Sequence, residues 1–86
     1  NPRHQLDQAT LASLFLWDEA TFLSHTEGSA IRRIGHERWL RNLAVGLGNA
    51  STSIPVIEAL KTRREHPSEL VREHVIWALQ RHGQMP

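Results

Sequence analysis

"GSAIRRIGHERWLRNLAVGLGN", residues 28–49, sets four arginines, Arg32, Arg33, Arg38 and Arg41, against the single acid Glu37. It then runs into an apolar stretch that closes on Gly-Leu-Gly-Asn. At 100° per residue, Trp39, Leu40, Leu43, Ala44 and Leu47 share one stripe, which predicts an amphipathic helix. Ile31 and Ile34 lie off that stripe, and Gly35 separates the two sets. The segment therefore predicts a short helical turn over 30–34, a kink at Gly35 and a main helix over 36–47, with Gly48 and Asn49 ending it as a left-handed cap. Because this Gly-x-Gly follows a helix and not a strand, it is no dinucleotide fingerprint. A segment that is both basic and core-forming has two uses for its arginines. They either join neighbouring helices or face a polyanion.

The same helical spacing extends in both directions, and no useful run alternates with period two. Leu6, Ala9, Leu11, Leu14 and Phe15 predict a first helix, capped at Asp7 or Thr10. Asp18 caps a short second helix bearing Phe22 and Leu23, which Gly28 ends. Beyond the central helix, Ser53 caps a fourth, with Pro55 tolerated in its first turn and Val56, Ile57 and Leu60 inward. The chain breaks at Pro67, and Pro67 or Ser68 starts a fifth helix with Leu70, Val71, Val75, Ala78 and Leu79 on its core side. Residues 82–86 read as a frayed tail. The predicted fold is all-α, about five helices in antiparallel pairs, forming a single domain over residues 1–86. Trp39, Leu40, Leu43, Leu47, Val71, Val75 and Leu79 are its expected core.

A shift of 31 residues lays Leu40-Arg41 on Val71-Arg72, Ala44 on Val75 and Leu47 on Ala78. A helix-pair unit repeated at that spacing buries one face only by stacking on its neighbour. The pattern resembles HEAT-like repeats, fragments of an α-α superhelix, in which an arginine follows the first core aliphatic. Arg41 and Arg72 are then expected to meet acids or helix ends of the adjacent repeat. Arg32, Arg33 and Arg38 have no counterpart in the repeat, and Arg63 and Arg64 end the fourth helix, where cations offset the helix dipole.

Net charge is only +1, but residues 28–64 hold Arg32, Arg33, Arg38, Arg41, Lys61, Arg63 and Arg64 against Glu37 and Glu58, a local excess of +5. Such asymmetry argues for an anionic partner. Arg32, Arg33, Arg38, Arg63 and Arg64 are the candidate contacts. Catalytic chemistry has no visible seat. Cysteine is absent, so disulfides and thiolate metal sites are excluded within the chain. The six histidines, His4, His25, His36, His66, His74 and His82, form neither H-E-x-x-H nor an i, i+4 pair, and packed or hydrogen-bonded roles are expected for them. Trp17, Trp39 and Trp77 fall at or beside apolar stripes, where packing is the expected role. No apolar run approaches the roughly 20 residues of a membrane span, and no signal-peptide core opens the chain, so a cytoplasmic location is expected. The chain lacks an initiator methionine, as an excised piece of something longer would.

The stretch "EGSAIRRIGHERWLRNLAVGLGN", followed by an aliphatic helix and "HPSELVREHVIWAL", resembles the C-terminal region of epoxyqueuosine reductases. The leading "PRHQLDQATLASLFLWDEATFLSHT" is similar to the segment after the last cluster cysteines of that family. The run Arg41 to Asn49 is the most specific part. The resemblance implies an iron–sulfur, cobalamin-dependent oxidoreductase that reduces epoxyqueuosine to queuosine in tRNA and ends in a HEAT-like domain that helps hold the tRNA. It also implies cobalamin and two [4Fe–4S] clusters in the upstream catalytic domains of the parent chain and none in this one. By that resemblance the chain is a non-catalytic accessory module whose partners are tRNA and those upstream domains. The alternative is a HEAT-like interaction or structural scaffold whose arginines pair with carboxylates and touch no nucleic acid.

Overall fold

The computed structural model describes residues 8–84, with side chains from Thr10 onward. Leu6, the Asp7 cap, His4 and the end of the tail at Met85 and Pro86 lie outside the described residues, as does the side chain of Ala9. The elements are α1 (Gln8–Phe15), α2 (Glu19–His25), a 3-10 turn (Ala30–Ile34), α3 (Gly35–Asn49), α4 (Ile54–Thr62) and α5 (Glu69–Arg81). The described residues contain no strand.

The caps explain most of these boundaries. Asp18 Oδ1 accepts the Thr21 N–H at 2.8 Å and starts α2. That backbone bond is the main reason the Asp18 pKa lies below the usual range, followed by the Thr21 side chain. Ser29 Oγ accepts the Ile31 N–H at 3.1 Å and starts the 3-10 turn. Gly35 then takes φ +83°, in the left-handed region where a side chain is strained, and redirects the chain into α3. The predicted break at Gly35 is thus present. Ser68 Oγ accepts the Val71 N–H at 3.3 Å and starts α5. Ser53 occupies the N-cap of α4, but its side chain makes no capping bond, and its buried hydroxyl has no partner.

Helix directions follow from contacts at their ends. Ser68, at the start of α5, donates its hydroxyl to Glu37 Oε2 in the first turn of α3. At the other end His82 Nε2 donates to Leu47 O at 2.7 Å, and Arg81 Nε to Gly48 O at 3.0 Å. So α3 and α5 run parallel, side by side. Arg63, at the C-cap of α4, donates to Phe15 O at 3.1 Å and Trp17 O at 2.8 Å, which joins the C-terminal ends of α1 and α4. His36, near the start of α3, reaches the same Trp17 carbonyl at 2.8 Å, so α3 runs opposite to α1 and α4. The helices form two layers, α3 with α5 and α1 with α4, in a slab of 40 × 37 × 15 Å. That thinnest dimension matches the roughly 13–15 Å expected for two helix layers measured on Cα atoms.

The positions that the shift of 31 residues pairs are buried together. Leu40, Ala44, Leu47, Val71, Val75 and Ala78 are all at 0% exposure, so each equivalent pair sits in the shared core with Leu43, Val56, Leu60, Leu79 and Phe15. Trp39 is only half-buried, packed against the core and not within it, and Leu70 also stays half-buried.

Two further sequence expectations are corrected. First, Gly48 and Asn49 do not form a left-handed cap. Gly48 is helical and buried, and α3 ends at Ala50 in extended backbone. The glycine is required by proximity: a Cβ there would lie 2.5 Å from Cζ3 of Trp77. Second, the tail is not frayed through residue 84. Gly83, at φ +74°, closes α5, with the Gln84 N–H on Leu79 O at 2.9 Å and the Gly83 N–H on Gln80 O at 3.0 Å, a Schellman motif. His82 is buried within it and also meets Thr52 Oγ1 at 2.7 Å, tying the end of α5 to the loop after α3.

Candidate nucleic-acid interface

The parallel pairing of α3 with α5 places both of their N-terminal ends at one edge of the slab, alongside the C-terminal ends of α1 and α4. The basic residues collect there because of it. Arg32 and Arg33 stand on the 3-10 turn that enters α3, Arg38 on its first turn, Arg63 and Arg64 after α4, and Arg72 on the first turn of α5. The partial positive charge of the α3 and α5 N-termini is offset by the partial negative charge of the α1 and α4 C-termini, so the cationic character of the edge comes from its arginines. The edge is not uniformly basic. Glu37 accepts the Ser68 hydroxyl, Asp18 is held by α2, and Glu65 and Glu69 are exposed nearby in sequence.

The five candidate arginines separate into two groups. Arg32, Arg33, Arg38 and Arg64 are exposed, and none of their guanidinium groups has a hydrogen-bonded partner among the described residues. Arg32 and Arg33 border an open hollow of about 610 Å³ with Gly28, Ser29 and Ala30. Arg63 is different. Half-buried, it holds the carbonyls of Phe15 and Trp17, and burial lowers its pKa while the nearby Asp18 charge acts in the opposite direction. These bonds satisfy carbonyls at and just beyond the C-terminal end of α1, which makes Arg63 a clamp between α1 and α4.

Arg41 and Arg72 also depart from expectation. Arg41 Nε donates to Asn42 Oδ1 at 2.8 Å within its own helix and not to a neighbouring repeat. Arg72 closes the turn ahead of its own helix by donating to His66 O at 2.7 Å and Pro67 O at 2.9 Å. His66 Nδ1 accepts the Ser68 N–H at 3.0 Å, and burial is the first cause that lowers its pKa, followed by the Arg63 charge.

Behind the edge lies an aromatic cluster. Trp17 stacks on Trp39 with centroids 5.9 Å apart and planes 20° from parallel, while Phe22 meets Trp39 at 5.2 Å and His36 at 5.6 Å. His36 is therefore a packed, hydrogen-bonded residue, as its spacing predicts. The bond from Glu37 to Ser68 was not foreseen, yet its signal was present: the two positions are 31 apart, the repeat spacing itself.

Among the described residues no group of three or more His, Asp or Glu side chains could hold a metal ion. With no cysteine in the chain, its donor set does not fit an iron–sulfur cluster. No helix of the described residues is long and apolar enough to cross a membrane.

The fold and its edge define a class: a two-layer, all-α helical module with arginines along one rim whose guanidinium groups have no partner among the described residues. The chain is similar, over nearly its whole length, to part of the epoxyqueuosine reductases. It is 72% identical to the epoxyqueuosine reductase of Pseudomonas aeruginosa over 83 residues, which cover 96% of this chain and 23% of that protein. Against the epoxyqueuosine reductase of Xanthomonas campestris it is 67% identical, covering 94% of the chain and 23% of the relative. Against that of Escherichia coli it is 54% identical, covering 92% and 21%. The resemblance carried by residues 28–49 thus extends along the chain, which is homologous to one segment of these reductases and spans 23% or less of each of the three. No family model matches the chain, and no solved structure matches it.

Proposed function

We propose that the chain is a non-catalytic, HEAT-like accessory module of an epoxyqueuosine reductase-like oxidoreductase, and that its basic edge contacts the phosphate backbone of the tRNA whose epoxyqueuosine is reduced to queuosine. The observation that carries this reading is that the guanidinium groups of Arg32, Arg33, Arg38 and Arg64 are exposed and have no partner among the described residues. Guanidinium groups free of internal partners suit bidentate phosphate contact, which fixes position without reading sequence. Arg63 supports the edge from behind. In this reading the reducing chemistry belongs to cobalamin and two [4Fe–4S] clusters in the upstream catalytic domains, and this chain supplies binding surface.

A second reading has its own observation. Ile31 and Ile34, on the same 3-10 turn, are 45% and 40% exposed. Residues three apart eclipse on a 3-10 helix, so the two form one apolar spot suited to protein docking. Titrating cognate tRNA into the full-length reductase at several salt concentrations separates the readings. Arg33→Ala and Arg38→Ala should each weaken binding and flatten the log–log salt slope by about 0.7 to 0.9. Unchanged affinity and slope in both variants would put the docking scaffold in front.

A further inference from the structure

Away from the basic edge, α3 and α5 leave a groove of about 370 Å³ lined by Val45, Glu73, His74 and Trp77. One wall is the half-buried Trp77 indole. One edge of the ring lies against Gly48, where no Cβ could fit. Over one face stands Arg81, its Cζ 5.2 Å from the ring centroid and its Nε anchored to Gly48 O at 3.0 Å. Glu73, four residues before Trp77 as Arg81 is four after it, lines the groove on the other side. His74 donates its Nδ1 proton to Leu70 O at 2.8 Å, which leaves Nε2 as a lone-pair acceptor. The lining therefore offers a carboxylate, an imidazole acceptor, an aromatic wall and an aliphatic floor, with no Arg or Lys among the described residues that line it, Arg81 standing on the Trp77 ring beside it.

The Glu73 carboxylate and His74 Nε2 accept, and the ring face of Trp77 that Arg81 does not cover attracts cations. The complementary ligand is a planar cation with several N–H donors. We infer that this groove is a docking site for an arginine side chain presented by a polypeptide partner. The guanidinium would lie against Trp77 and donate to Glu73 and to His74 Nε2, with its aliphatic stem on Val45. Lysine fits less well, being a point charge without the planar fork. A nucleic-acid strand fits poorly, because its phosphates would be brought toward Glu73. The inference is independent of the tRNA reading, since the groove shares no residue with the basic edge.

The test follows the ¹⁵N-labelled Trp77 indole N–H of the chain by NMR at neutral pH, during titration with acetyl-Gly-Arg-Gly amide. Matched peptides carrying citrulline or lysine, and adenosine monophosphate, serve as comparisons. The arginine peptide should give a saturable, millimolar-range shift. Citrulline, equal in shape but uncharged, should give none, and lysine a weaker one. Glu73→Gln, at an exposed position where folding is not at risk, should weaken the arginine response roughly threefold to fivefold, while Glu69→Gln leaves it unchanged. An absent shift, an equal response to citrulline, or a stronger response to the nucleotide would each overturn the inference.

Discussion

The α3–α5 seam and the 3-10 turn before it are joined through Gly35, yet they differ in what holds them. The seam buries Leu40, Ala44, Leu47, Val71, Val75 and Ala78 completely and brings the helices close enough at Gly48 to exclude a methyl group. The turn buries none of its five residues and is held by one serine cap and one left-handed glycine. Stability is therefore concentrated in the seam, where removed atoms leave cavities. The turn adds little burial and leaves its side chains free for a partner. Arginines in the same quoted segment differ accordingly: Arg32, Arg33 and Arg38 are exposed, while Arg41 is half-buried and bonded to Asn42.

Leu47→Ala should have the largest effect, a loss of about 2–5 kcal/mol from lost transfer energy plus an unfilled cavity. Denaturant unfolding would measure it, and a loss below about 1 kcal/mol would break the comparison by showing that the seam is not the core. Gly48→Ala comes next. Helix propensity favours alanine by roughly 0.5–1 kcal/mol. The Trp77 ring blocks its Cβ, however, and Arg81 restrains that ring. Overpacking of this kind costs about 1–3 kcal/mol, so the net change should be destabilising. A more stable Gly48→Ala variant would mean that the helices can separate.

Ser68→Ala removes the α5 cap and the tie to Glu37 together, and should cost about 0.5–2 kcal/mol. Glu37→Ala in the Ser68→Ala background should then add little, because the two residues act through one contact. A smaller effect is expected from His66. Its folded pKa is depressed below the ordinary 6.5, so the unfolded chain takes up the proton first as pH falls. The stabilisation is complete above that ordinary value and is lost as pH drops through the folded pKa. Protonation also removes the acceptor of the Ser68 N–H. Wild type should lose stability across this acidic window, and His66→Gln should lose less of it. Identical pH profiles would remove His66 from the account.

The turn should give the smallest change. Arg32→Ala and Arg33→Ala are expected to alter unfolding stability by no more than about 0.5 kcal/mol. Destabilisation comparable to the seam variants would show that the turn is structural after all, and the distinction between the two regions would collapse.

Much of the architecture was legible before any coordinates. Apolar spacing located the helices, Asp18 and Ser68 announced their caps, and Gly35 announced the break, because each acts through bonds to residues at most four positions away. The spacing of 31 identified which positions of α3 and α5 are equivalent. Arg63 was not legible as a clamp, since its acceptors lie 46 and 48 positions earlier, and nothing local separates it from the exposed Arg64. Gly48 was read as a helix stop because glycine usually ends a helix. The ring that explains it comes from α5.

The sequence by itself determined that the protein is helical, where its helices begin, and that two of them repeat one burial pattern, since these follow from local backbone chemistry and periodicity. Only the tertiary structure decided that the repeats stack in parallel. That single choice gathers the N-terminal ends of α3 and α5 with the arginines at one edge. It also presses Trp77 onto Gly48 and lets Arg63 reach the end of α1. The reason is physical: direction and proximity between distant segments are set by how their buried faces fit together, and neither is encoded in any one segment.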